Sequence, residues 1–81
     1  MYIEAQGKVY TFYEHAVTRM RQRKIMSEWI EAALQEPDDT IELTPNRLAY
    51  DKMLDERRAI RVVVDEGASQ IVTVYFTETE G

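Results

Sequence analysis

Eighty-one residues suffice for one domain with a modest core and leave no room for a large cofactor pocket. The apolar fraction of 44% is that of a globular protein, and the lack of cysteine excludes disulfides, thiolate metal sites and cysteine nucleophiles. Net charge is −5, yet Arg19, Arg21, Arg23 and Lys24 put four of the ten cations inside six acid-free residues, leaving six cations against fifteen acids elsewhere. Such a body does not bind nucleic acid through its overall field, so any phosphate contact has to be local.

The opening Met1-Tyr2-Ile3-Glu4 has neither the basic nor the apolar region of a signal peptide. No apolar run approaches the roughly 20 residues that span a bilayer. The expectation is a cytoplasmic protein with no membrane partner, and a cysteine-free small domain fits a reducing compartment. No repeat or linker divides the chain, which reads as a single domain over residues 1–81.

Tyr2-Ile3-Glu4 and Lys8-Val9-Tyr10 flank Gln6-Gly7, the pattern of a short hairpin whose glycine supplies positive φ. Thr11-Phe12-Tyr13-Glu14 reads as a capping box opening a helix over about 12–23. Its apolar side collects Tyr13, Ala16, Val17 and Met20, while His15, Arg19 and Arg23 recur every four residues and stack along one face. Ser27 is the expected N-cap of a second helix over about 28–36, which ends before Pro37 and buries Trp29, Ile30, Ala33 and Leu34. Ile25 and Met26 are expected to pack in the corner between the two.

After Pro37 the period falls to 2, predicting strands over about 40–43, 47–54, 58–65 and 70–77. Ile60, Val62 and Val64 share one face. On the last strand Val72, Val74 and Phe76 form an apolar face, with Ile71, Thr73 and Tyr75 opposite. The fold class that follows is α+β: two N-terminal helices packed on a three- to four-stranded antiparallel sheet.

The single histidine leads the candidate chemistry, since imidazole is the usual general acid or base near neutrality. A lone helical histidine is more often structural, but His15 has Arg19 and Arg23 one and two turns on, guanidinium forks suited to phosphate oxygens. The competing reading is a solvated basic face. Arg47, Arg58 and Arg61, with the hydroxyls of Tyr50, Thr73 and Tyr75, could join from the sheet. One histidine without cysteine makes no zinc site of ordinary composition, and neither a calcium loop nor a glycine-rich phosphate loop is present, so no metal or other cofactor is expected. A helix-turn-helix is rejected because the would-be recognition helix bears Glu28, Glu31 and Glu36.

The segment His15-Ala16-Val17-Thr18-Arg19-Met20-Arg21-Gln22-Arg23-Lys24-Ile25 resembles the opening motif of a bacterial family, domain of unknown function 4258. That motif runs His-Ala, two residues, Arg-Met, two residues, Arg-Gly-Ile, then a Ser or Thr, here Ser27. A proline and strands ending in a Val-Thr-Val-Tyr-like run complete it, here Pro37 and Ile71-Val72-Thr73-Val74-Tyr75, so the similarity extends from about Tyr10 to Thr77. Lys24 stands where the family usually has glycine.

The resemblance in turn implies a RelE-like fold, that of the barnase–EndoU–colicin group of small metal-independent ribonucleases, several of which are toxins paired with antitoxins. It implies His15 as proton carrier, Arg19 and Arg23 as stabilisers of phosphorane charge, and Tyr50 or Thr73 as phosphate-orienting groups. Arg21, Lys24, Arg47 and Arg61 would then bind the RNA backbone. The expected partners are RNA and an antitoxin-like protein. The alternative is a non-catalytic interaction or regulatory domain on the same fold, which the acidic body favours.

Overall fold

The computed structural model describes residues 1–78. Along the chain come β1 (Tyr2–Ala5), β2 (Lys8–Phe12), α1 (Glu14–Gln22), α2 (Ser27–Gln35), β3 (Asp39–Thr44), β4 (Arg47–Met53), β5 (Arg58–Asp65) and β6 (Gln70–Glu78). All six strands belong to one sheet, in the order β1-β2-β6-β5-β4-β3. This corrects the expected fold class. In place of two helices on a three- to four-stranded antiparallel, RelE-like sheet, the chain builds a six-stranded sheet curled into a half-barrel, with two short helices.

The expected hairpin forms, turning through Gln6 at φ 51° and Gly7 at φ 75°. The difference arises in where it docks: Thr11 and Phe12 of β2 pair in parallel with Gln70 and Ile71 of β6. Alternation reveals a strand but not its partner, and here the partner lies at the other end of the chain. β3 to β6 form the antiparallel meander that period 2 predicts.

Docking of β2 also overrides the local cap. Thr11 is a strand residue whose N–H donates to the Ser69 carbonyl at 3.0 Å. Tyr13 becomes the N-cap of α1, with extended backbone and no side-chain cap bond. Met26 likewise takes the N-cap of α2, and Ser27 is its first helical residue. The C-terminus of α2 is satisfied from outside. The Gln6 side-chain amide donates to the Leu34 and Gln35 carbonyls at 3.1 Å each, and Lys52 Nζ donates to the Glu36 carbonyl at 2.9 Å.

Between the helices the Ile25 N–H donates to the Met20 carbonyl at 2.9 Å and the Lys24 N–H to the Arg21 carbonyl at 3.3 Å. This is a Schellman turn, with Lys24 at φ 54° in the left-handed position that favours glycine. Ile25 and Met20 are both buried, supplying its hydrophobic contact; Met26, expected in the corner, is exposed.

The core joins Ala16 and Met20 of α1, Ile30, Ala33 and Leu34 of α2, Ile60, Val62 and Val64 of β5, and Ile71 and Val74 of β6. The hairpin contributes Ile3, Ala5 and Tyr10, and Trp29 meets Phe76 edge-on at 6.1 Å. A bulge at Val72 explains one difference from the strict alternation. Val63 opposes Thr73 while Val64 opposes Ile71, so Ile71 turns to the core with Val74. Thr73 and Tyr75 stay on the other face. β3 is a sheet edge whose residues are exposed apart from half-buried Ile41. Among the described residues no helix is long and apolar enough to cross a membrane.

Candidate functional site

Strand β2 pairs with β6 only at Gln70 and Ile71, so beyond Ile71 that edge of β6 is left to α1. Two bonds fix the helix there. The Tyr13 N–H donates to the Ile71 carbonyl at 2.9 Å, and Arg23 Nη1 donates to the Val74 carbonyl at 2.7 Å. Arg23 thus closes a strand-edge carbonyl that would otherwise lack a partner. His15 and Arg19 fall on the same helical line between these anchors, both exposed. Of the sheet candidates, Thr73 is the one bracketed by them, directly before Val74 and half-buried.

Tyr13 was expected in the buried stripe, yet its side chain is 45% exposed and its ring centroid lies 5.5 Å from that of His15, tilted by 33°. As an extended N-cap residue it stands outside the helix and does not follow the 3.6-residue period. Glu14, an acid suited to a first turn, was the available signal that the helix begins after Tyr13.

The remaining candidates do not converge on this place. Tyr50 opposes Val62, which opposes Val74, so it lies on the core face, whereas Thr73 lies on the opposite one. Its hydroxyl donates to Glu66 Oε1 at 2.5 Å, and Lys8 Nζ sits 3.3 Å from Glu66 Oε2. Burial first, and then the Glu66 carboxylate, push the Tyr50 phenol well above its ordinary value. Arg61 is held by Asp51 through two bonds of 2.8 Å, with Tyr75 beside it, and these partners raise its pKa further. It borders a hollow of about 390 Å³ with Asp38, Asp39, Asp51 and Glu78, surroundings that repel phosphate. Arg47 is exposed at the start of β4.

Charge distinguishes the α1 region. Lys8, Lys52, Arg58 and Arg61 are each ion-paired. Among the described residues the side chains of Arg19, Arg21 and Lys24 have no hydrogen-bond or ion-pair partner and are exposed; Arg47 and Arg57 are the same in this, but α1 and its corner hold three such cations within six residues. Chemically, this corner offers an imidazole and unneutralised cations beside an accessible aromatic ring.

The model of the family described as "Domain of unknown function (DUF4258)" matches residues 12–76, about four-fifths of the chain. The match includes α1, α2 and β3 to β5, and starts after most of the hairpin. No curated protein and no solved structure matches the chain.

Proposed function

The chain belongs to this family, whose description assigns no activity, and we propose from its α1 flank that it is an RNA-binding protein that cleaves RNA without a metal. The observation that carries the reading is the run of unpartnered cations beside the only histidine of an otherwise acidic chain. Paired surface charges are ordinary; unpaired ones concentrated at one corner suit a polyanion.

In this reading His15 removes the proton from a ribose 2′-hydroxyl. The 2′-oxygen bonds to the adjacent phosphorus and the 5′-oxygen leaves, taking a proton from water. A 2′,3′-cyclic phosphate and a 5′-hydroxyl result. Arg19 faces the phosphorane charge and the Thr73 hydroxyl orients a phosphate oxygen. Arg21 and Lys24 hold neighbouring phosphates, and Arg23 positions the helix. The reaction belongs in the cytoplasm, and an antitoxin-like protein covering α1 is the natural partner. The closure of Tyr50 on Glu66 favours a second reading, a non-catalytic interaction domain, because it withdraws one expected catalytic group.

The test is cleavage of labelled single-stranded RNA by purified protein in EDTA. Expected are cyclic-phosphate ends and a loss of about 100-fold or more in His15→Ala. Equal turnover by His15→Ala and wild type would remove the site assignment. Binding without cleavage by the wild type would establish the second reading.

A further inference from the structure

We infer that Tyr13 is a stacking platform for an unpaired base, which makes single-stranded RNA the substrate class of the α1 site. The inference rests on the RNA reading above and adds to it what kind of RNA the site accepts.

Tyr13 is 45% exposed at the point where β2 becomes α1. Its backbone is rigidly held: the N–H donates to the Ile71 carbonyl at 2.9 Å, and the carbonyl accepts from the Ala16 N–H at 2.9 Å. An aromatic ring on an immobilised backbone loses little conformational entropy when a ligand covers it. The tilted contact with His15, 5.5 Å between centroids, engages one side of the phenol ring. With the residue 45% exposed, the ring keeps area that a flat partner can cover. Arg19 lies one turn beyond His15 with no partner among the described residues. A base on the Tyr13 ring would therefore carry its own phosphate toward an imidazole and a guanidinium.

A duplex cannot use such a platform. Its bases are stacked on each other, and duplex RNA is read by shape across successive grooves, a span far beyond this nine-residue helix. Stacking on aromatic side chains is the general means of holding splayed single strands.

The experiment measures binding of a fluorescein-labelled eight-nucleotide RNA with 2′-O-methyl riboses, which removes the attacking hydroxyl and prevents cleavage, single-stranded or annealed to its complement, at fixed ionic strength in EDTA. The proteins are wild type, Tyr13→Phe, Tyr13→Leu and Arg19→Gln, each checked for folding by circular dichroism. Wild type and Tyr13→Phe are expected to prefer the single strand. Tyr13→Leu, which keeps apolar volume without a ring face, is expected to lose about tenfold in single-strand affinity and none in duplex affinity. Arg19→Gln should weaken both forms. Equal single-strand binding by Tyr13→Leu and wild type, or equal wild-type affinity for the two forms, would overturn the platform while leaving the cationic site in place. Failure of wild type to bind either form would overturn the RNA reading and the platform with it.

Discussion

Lys24 shows how a single residue can carry strain without altering the local design. The Schellman turn after α1 requires a left-handed residue, and Lys24 adopts φ 54° there. That conformation costs a non-glycine residue about 1–2 kcal/mol, against a chain-entropy penalty of about 0.5–1 kcal/mol for glycine. Lys24→Gly is therefore expected to raise the thermal midpoint by about 4 °C, measured by circular dichroism. A lower midpoint would mean that Lys24 gains more from its surroundings than its backbone loses. Of the two residues expected to pack in this corner, Ile25 does and Met26 does not, and the glycine that normally announces the turn is missing. Tyr13 was illegible for the converse reason. Its spacing fits the apolar stripe, but that spacing has meaning only inside the helix.

At the scale of elements, the turn from β4 to β5 is organised by a carboxylate. Asp55 Oδ1 accepts from the Arg57 and Arg58 N–H groups at 2.8 Å each, and these bonds hold its carboxyl below its ordinary value. A depressed carboxyl pKa stabilises the fold above the unfolded group's range, and this stability is lost as pH falls through the lower folded value. Wild type is thus expected to lose stability more steeply below about pH 4 than Asp55→Asn. Urea midpoints measured from pH 6 to pH 2 provide the check, and parallel curves would rule the carboxylate out. Strands β3 to β6 were legible for a related reason: each is bounded by residues that make its turn. The start of α1 was shifted because backbone pairing between β2 and β6 claimed Thr11, leaving its hydroxyl no helix to cap. The bulge at Val72 was invisible in a pattern that is otherwise perfect alternation.

At the scale of the molecule, the hairpin that lies almost wholly before the family match is integral to the core. Ile3, Ala5 and Tyr10 are buried, and Gln6 caps the C-terminus of α2. Removing residues 1–7 is expected to cost about 3 kcal/mol or more, read as a fall in the urea midpoint, since loss of one buried isoleucine alone costs about 2–5 kcal/mol. An unchanged midpoint would make the hairpin an appendage. The alternation in residues 2–12 revealed the hairpin, whereas six-strand order was beyond the pattern, because nothing local marks β2 as the neighbour of β6. The candidate site was legible as a helical line of His15, Arg19 and Arg23. Tyr50 separated from it because strand parity placed Tyr50 and Thr73 on opposite faces.

The pairing of β2 with β6 also sets when the site can exist. α1 is anchored to Ile71 and Val74, both far along the chain from it. During synthesis Arg23 emerges 51 residues before the Val74 that it bonds, so the histidine and its arginines leave the ribosome well ahead of the strand that supports them. Contacts this distant form late and slowly. A nascent chain on the ribosome therefore carries the residues of the site before its geometry, and the surface that we propose meets RNA assembles only once β6 has emerged.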